Sequence, residues 1–239
     1  MSGDDLSRAT KAEIEEHIAA EVARRRNRGE PMIPLRLERP RGPVAATFWG
    51  AAWCERMEAC GDYRDRLPIG RSRLRAGAVY DLTITTGEVF AYVASEDLHE
   101  VLVRVQPIDA ERREALVRAC GGRVGNVVDL LAGNLSETVV AALVDAEYGL
   151  LPAPDEIRFQ CDCPDHAGLC VHGAAVLYAT GLCLDADPAL LFTLRGVDQA
   201  SLVSCVVSAV GQLPSGGEEL LKADDLGAMF GIQFEEEDS

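Results

Sequence analysis

Three short stretches of the chain, 78–85, 88–94 and 99–106, place apolar and polar positions in alternation. Val79, Asp81, Thr83 and Thr85 alternate with Tyr80, Leu82 and Ile84. After Thr86-Gly87, Val89, Ala91 and Val93 stand opposite Phe90 and Tyr92; Val101, Val103 and Val105 then alternate with Leu102 and Arg104 as far as Pro107. A period of two is that of a half-buried strand, and Thr-Gly suits a tight hairpin turn. The pattern predicts an antiparallel three-stranded β-meander.

Elsewhere the spacing is helical. Residues 7–26 carry Ile14, Ile18 and Val22 four apart, with Ser7 as cap and Arg24-Arg25-Arg26 at the C-terminal end, where cations suit the helix dipole. Its apolar face is narrow, as in a loosely attached arm. Residues 29–46, with Pro31, Pro34, Pro40, Gly42 and Pro43, cannot continue a helix and read as a linker or an extended crossing strand. From Thr47 a helix is expected to bury Phe48, Ala52, Trp53 and Met57 as one stripe. Residues 64–75 read as a basic loop around Leu67-Pro68-Ile69-Gly70. Asp109 caps a helix to about Ala119, Gly121-Gly122 breaks it, and helices follow near 126–132, 136–148, 172–183 and 187–194. Residues 199–210 suit either helix or strand, and 224–232 read as a short apolar docking helix before an acidic tail. The expected class is α+β, with flanking helices around the meander. The expected divisions are an N-terminal helix and Pro-rich linker (1–43), an α+β domain (44–125), a helical region (126–198), and C-terminal helices with the acidic tail (199–239).

Composition adds bounds. The chain has 239 residues, of which 48% are hydrophobic, enough for a real core. Its best apolar runs, 174–184 and 201–211, are too short to span a membrane, and Met1-Ser2-Gly3-Asp4-Asp5 is the reverse of a secretory leader. A cytoplasmic location is expected. In a reducing compartment, eight cysteines point to metal binding rather than to disulfides. Cys54, Cys60, Cys120, Cys183 and Cys205 read as small buried hydrophobes.

The net charge of −16 is one-sided. Residues 1–125 hold 20 Lys+Arg and 20 Asp+Glu, whereas residues 126–239 hold 3 and 19, so the second half carries the whole imbalance.

The chemistry concentrates at 161–172. Extended backbone sends Cys161 and Cys163 to one side, Pro164 turns the chain, and Cys170 and His172 return at the start of a helix. Three thiolates and an imidazole fill a tetrahedron, which describes a closed, structural zinc site. The positive end of the helix dipole offsets the negative charge of that site. His166 is the rival ligand, ranked below His172 because it lies in the intervening loop.

Cys161-x-Cys163-Pro164 followed by Cys170-x-His172-x-x-Ala175 resembles the bacterial SWIM-type zinc finger, a ββα zinc module, over about residues 157–180. Phe48-Trp49-Gly50 with Trp53, Gly70-Arg71-Ser72 and Phe192-Thr193-Leu194-Arg195-Gly196 extend a weaker likeness. The resemblance implies zinc binding and contact with DNA or protein partners, in some cases beside Swi/Snf-type helicase-like ATPases, and implies no catalysis.

Two binding roles follow. Asp155, Glu156, Asp162 and Asp165 crowd the finger and repel phosphates, which favours an adaptor docking a protein partner. DNA or RNA binding would fall to the basic loop, with Arg64, Arg66, Arg71, Arg73 and Arg75 as candidate contacts, rather than to the finger. An enzyme is disfavoured: no nucleophile elbow, phosphate loop or paired carboxylates stand out. Gly121–Gly125 reads as a turn, and Asp81 with His99 as a cross-strand surface pair.

Overall fold

A computed structural model gives the protein's structure and describes residues 10–37, 41–121, 137–145, 147–165 and 168–211. The meander forms as the alternation requires, with β1 (Val79–Thr85), β2 (Glu88–Ala94) and β3 (Leu98–Val105) in antiparallel succession. Gly87, at φ 75°, supplies the left-handed backbone of the first turn. A fourth strand, β4 (Ile157–Cys161), pairs antiparallel with β3 from Val105↔Ile157 to Val101↔Cys161, so the sheet order is β1-β2-β3-β4. The expected count of three strands is corrected to four. Its partner lies far back in the chain, where no local turn announces the pairing.

One face of the sheet buries Val79, Val89, Ala91, Val93, Val101, Val103, Val105 and Ile157. Across it lies α6 (Val171–Ala186), buried through most of its length from His172 to Gly181 and at Leu184. A helix apolar on every side belongs in a core. α2 (Phe48–Glu58) and α3 (Leu67–Arg75) pack against α6, and Trp53 Nε1 donates to the Leu177 carbonyl at 2.8 Å. The approach is close. A Cβ at Gly70 would sit 2.5 Å from the Ala174 carbonyl carbon and 2.6 Å from Ala175 N. Both are backbone atoms that cannot rotate away, so Gly70→Ala should destabilise the fold by about 1–3 kcal/mol, the usual cost of overpacking. Denaturant titration checks this, and an unchanged midpoint would refute the close packing.

The stretch read as a basic loop is therefore mostly helix. Pro68 is tolerated in the first turn, and Leu67, Gly70 and Leu74 face the core. In α2 the buried positions are Gly50, Trp53 and Met57. Phe48 is half exposed, edge-on to Trp49, and leaves the predicted stripe.

α1 (Lys11–Asn27) covers part of the opposite face of the sheet, where Ile14, Ile18 and Val22 meet Met32, Tyr80, Tyr92, Ala94 and Leu98. Its cap is Thr10, which exchanges hydrogen bonds with Glu13; Ser7 lies outside the described residues. The extended reading of 29–46 holds at Ile33–Leu35. There Leu35 N donates to Val79 O at 2.8 Å and Asp81 N to Ile33 O at 3.0 Å, covering the free edge of β1.

α4 (Ala110–Gly121) begins at Asp109, whose carboxylate accepts from Arg112 N, and runs to Gly121, the first residue of the expected break; Gly122 lies outside the described residues. α5 (Glu137–Leu143), α7 (Ala189–Leu194) and α8 (Gln199–Gly211) complete the architecture, and α8 settles 199–210 as helix. The helix near 126–132, the docking helix at 224–232 and the acidic tail lie outside the described residues. One hydrophobic cluster draws on residues from Val44 to Val206, on both sides of the division drawn at 125. No helix of the described residues is long and apolar enough to cross a membrane. Of the five cysteines expected to be buried, Cys120 is, Cys54, Cys60 and Cys183 are half-buried, and Cys205 is exposed.

Candidate metal centre

Cys161 is the last residue of β4, and Cys163 follows in the bend at 162–164. Cys170 is the N-cap of α6, its backbone extended at φ −86° and ψ 170° and its Sγ accepting from Gly173 N at 3.3 Å. His172 occupies the first turn. The donor atoms of these four residues all lie within 4.8 Å of one another. Cys161 Sγ stands 3.6 Å and Cys170 Sγ 4.0 Å from His172 Nδ1. A tetrahedral ion at about 2.3 Å from sulfur and about 2.0 Å from nitrogen needs sulfur–nitrogen edges of roughly 3.5 Å. The observed set fits such an ion with little adjustment.

Burial and charge agree with that fit. Cys163, Cys170 and His172 are 5%, 3% and 6% exposed. The Cys170 thiol is held down at about 3, chiefly because the Cys161 thiol donates to it, helped by His172 and Gly173 N against the opposing effect of burial. Cys161, as that donor, is pushed up, and burial raises Cys163. The chain by itself thus places one thiolate at the helix N-terminus, where the dipole favours it. A metal cation bound here would take the place of the protons shared by the other sulfurs.

All four residues expected as ligands are brought together; His166 lies outside the described residues. His99 is a neighbour that periodicity does not reveal. Its ring lies 4.2 Å from that of His172 at 32°, and its Nδ1 is 2.9 Å from Asp162 Oδ1. Nothing local marks it: it reaches the centre because β3 pairs with β4. The imagined pairing of His99 with Asp81 does not occur. Asp81 instead accepts Met32 N and Ile33 N, each at 2.7 Å.

The arginines expected as nucleic-acid contacts do not form one free patch. Arg66 pairs with Asp165 at 3.2 Å. Arg71 donates to Glu58 and to the Tyr178 hydroxyl, its guanidinium 4.8 Å from the centre of that ring. Arg73 donates to Ala94 O and Arg75 to Gly42 O; Arg64 is exposed. The acidic surround is also reduced. Asp165 and Asp162 are engaged as described, and Glu156 accepts from Arg112 and Arg195, each at 2.8 Å, leaving Asp155 exposed.

No protein family matches this chain. No solved structure matches it either. The uncharacterized protein Rv2102 of Mycobacterium tuberculosis is 28% identical over 172 residues, which are 71% of this chain; the match spans 62% of that relative's length.

Proposed function

We propose that Cys161, Cys163, Cys170 and His172 hold one structural zinc ion, and that the chain is a non-catalytic SWIM-type adaptor docking a protein partner of the helicase-like ATPase class. The carrying observation is the convergence of three sulfurs and one imidazole nitrogen within 4.8 Å. Soft thiolate donors in a four-fold set favour zinc, and four protein ligands leave no position for water or substrate. Zinc so held ties the end of β4 to the first turn of α6. What it stabilises is a surface, not a reaction.

A protein partner is favoured over nucleic acid by the way the arginines are used. Phosphate binding needs cations free to displace counterions, and Arg66, Arg71, Arg73 and Arg75 already bond groups of the chain itself. Elemental analysis of the purified chain should find one zinc per molecule. Affinity capture should retain an ATPase after nuclease treatment and lose it after chelation. Less than half an equivalent of zinc, or capture abolished by nuclease alone, would overturn the reading. So would salt-dependent DNA or RNA binding at about 50 mM salt that is weakened by Arg71→Ala with Arg73→Ala.

A further inference from the structure

His172 is buried, and its two ring nitrogens differ. Its Nδ1 faces the sulfurs of Cys161 and Cys170, while its Nε2 is buried and has no hydrogen-bond partner among the described residues. A metal-bound histidine ordinarily donates its second N–H to a carboxylate, a carbonyl or water, and that bond sets the ring orientation. Among the described residues, the ring packed against His172 is that of His99, 4.2 Å away and tilted by 32°.

His99 is itself fixed. Its side chain is 13% exposed, and its Nδ1 lies 2.9 Å from Asp162 Oδ1. A carboxylate only accepts, so this nitrogen carries the proton. The same Asp162 oxygen accepts from Glu100 N at 3.2 Å. Asp162 stands between Cys161 and Cys163, so this pair of bonds extends the β3–β4 ladder one step past its last pairing, Val101↔Cys161. The Cys-x-Cys turn and the stacked ring are therefore held by one carboxylate.

We infer that His99, anchored by Asp162, is a positioning residue for the metal centre: its ring fixes the orientation of His172 by stacking, in place of a hydrogen bond to Nε2. This rests on the zinc reading above. It makes β3 part of the site, although β3 supplies no ligand.

The test uses the full chain with zinc, measured by chelator competition, and with Co2+ as a spectroscopic probe. His99→Ala should weaken zinc binding about 10–100-fold and shift the Co2+ ligand-field bands, whereas His99→Phe, which keeps a stacking ring, should stay within about threefold of wild type. Asp162→Ala, which removes the acceptor of His99 Nδ1 and Glu100 N, should weaken binding about 10-fold and shift the bands in the same direction. The inference is overturned if His99→Ala binds within about twofold of wild type with an unchanged spectrum, or if His99→Phe is as weak as the alanine variant. Should His99→Ala fail to fold, a wild-type affinity and spectrum for Asp162→Ala overturns it equally. A wild-type chain that takes up no metal sinks the zinc reading, and this inference with it. Normal wild-type uptake with unaffected variants sinks the positioning role alone.

Discussion

Serine in place of Cys161 should cost the protein its metal and lower its thermal midpoint by about 10 °C or more, a loss of several kcal/mol in a chain of this size. Binding at structural zinc sites contributes about 10–16 kcal/mol in small peptides that have no other core. The effect here is smaller because the Val44–Val206 cluster persists without the ion. It remains large because of where Cys161 stands. It ends β4, pairs with Val101 of β3, and faces His172 at the start of the core helix α6. Releasing it unpins a strand and a helix together, so the C-terminal half should unfold first. Calorimetry of wild type, Cys161→Ser and chelator-treated protein checks this. The two treatments should not add, and an unchanged transition in the zinc-free variant would show that the site is not structural.

Glu156→Ala should destabilise the fold by about 3–5 kcal/mol, the usual consequence of leaving a buried charge without its partner. Arg195 is wholly buried. It donates to Gln106 O and to Glu156 Oε1, while Arg112 donates to Glu156 Oε2 and to the carbonyls of Gly149 and Leu151. Glu156 also accepts Ala153 N at 2.7 Å and directly precedes β4. One carboxylate therefore bridges two guanidiniums and anchors the strand that carries Cys161. Glu156→Gln, which keeps an acceptor, should lose less.

The same group sets an acid limit. Burial alone pulls the Glu156 carboxyl up, but the hydrogen bonds from Arg195, Ala153 N and Arg112 outweigh it, and the net shift is downward. A carboxyl lowered in the folded state stabilises above its unfolded value of about 4.3 and loses that stabilisation as the pH falls through the folded value. Wild type should therefore lose stability below about pH 4 more steeply than Glu156→Gln. Parallel curves for the two proteins would assign the acid sensitivity to another group.

Several elements were legible in the chain because their signals are local. The meander follows from alternation between Val79 and Val105, the core helix from the apolar run after His172, and the ligand set from spacing over 161–172. Other features were not legible, for one shared reason. The run of arginines is visible in sequence, whereas Tyr178, Glu58 and Ala94 O, which engage Arg71 and Arg73, come from α6, α2 and β2. Pro68 and Gly70 looked like loop residues, yet Pro is tolerated where a helix begins and Gly is needed where α3 touches α6.

The sequence by itself determined the strand and helix periods, the α+β class and the four-residue donor set, since each depends on residues a few positions apart. Tertiary structure alone decided that β4 joins the meander, that Glu156 meets two arginines, and that His99 lies over His172. These contacts join segments distant in the chain, and their geometry is set by how the buried faces pack, which periodicity does not encode.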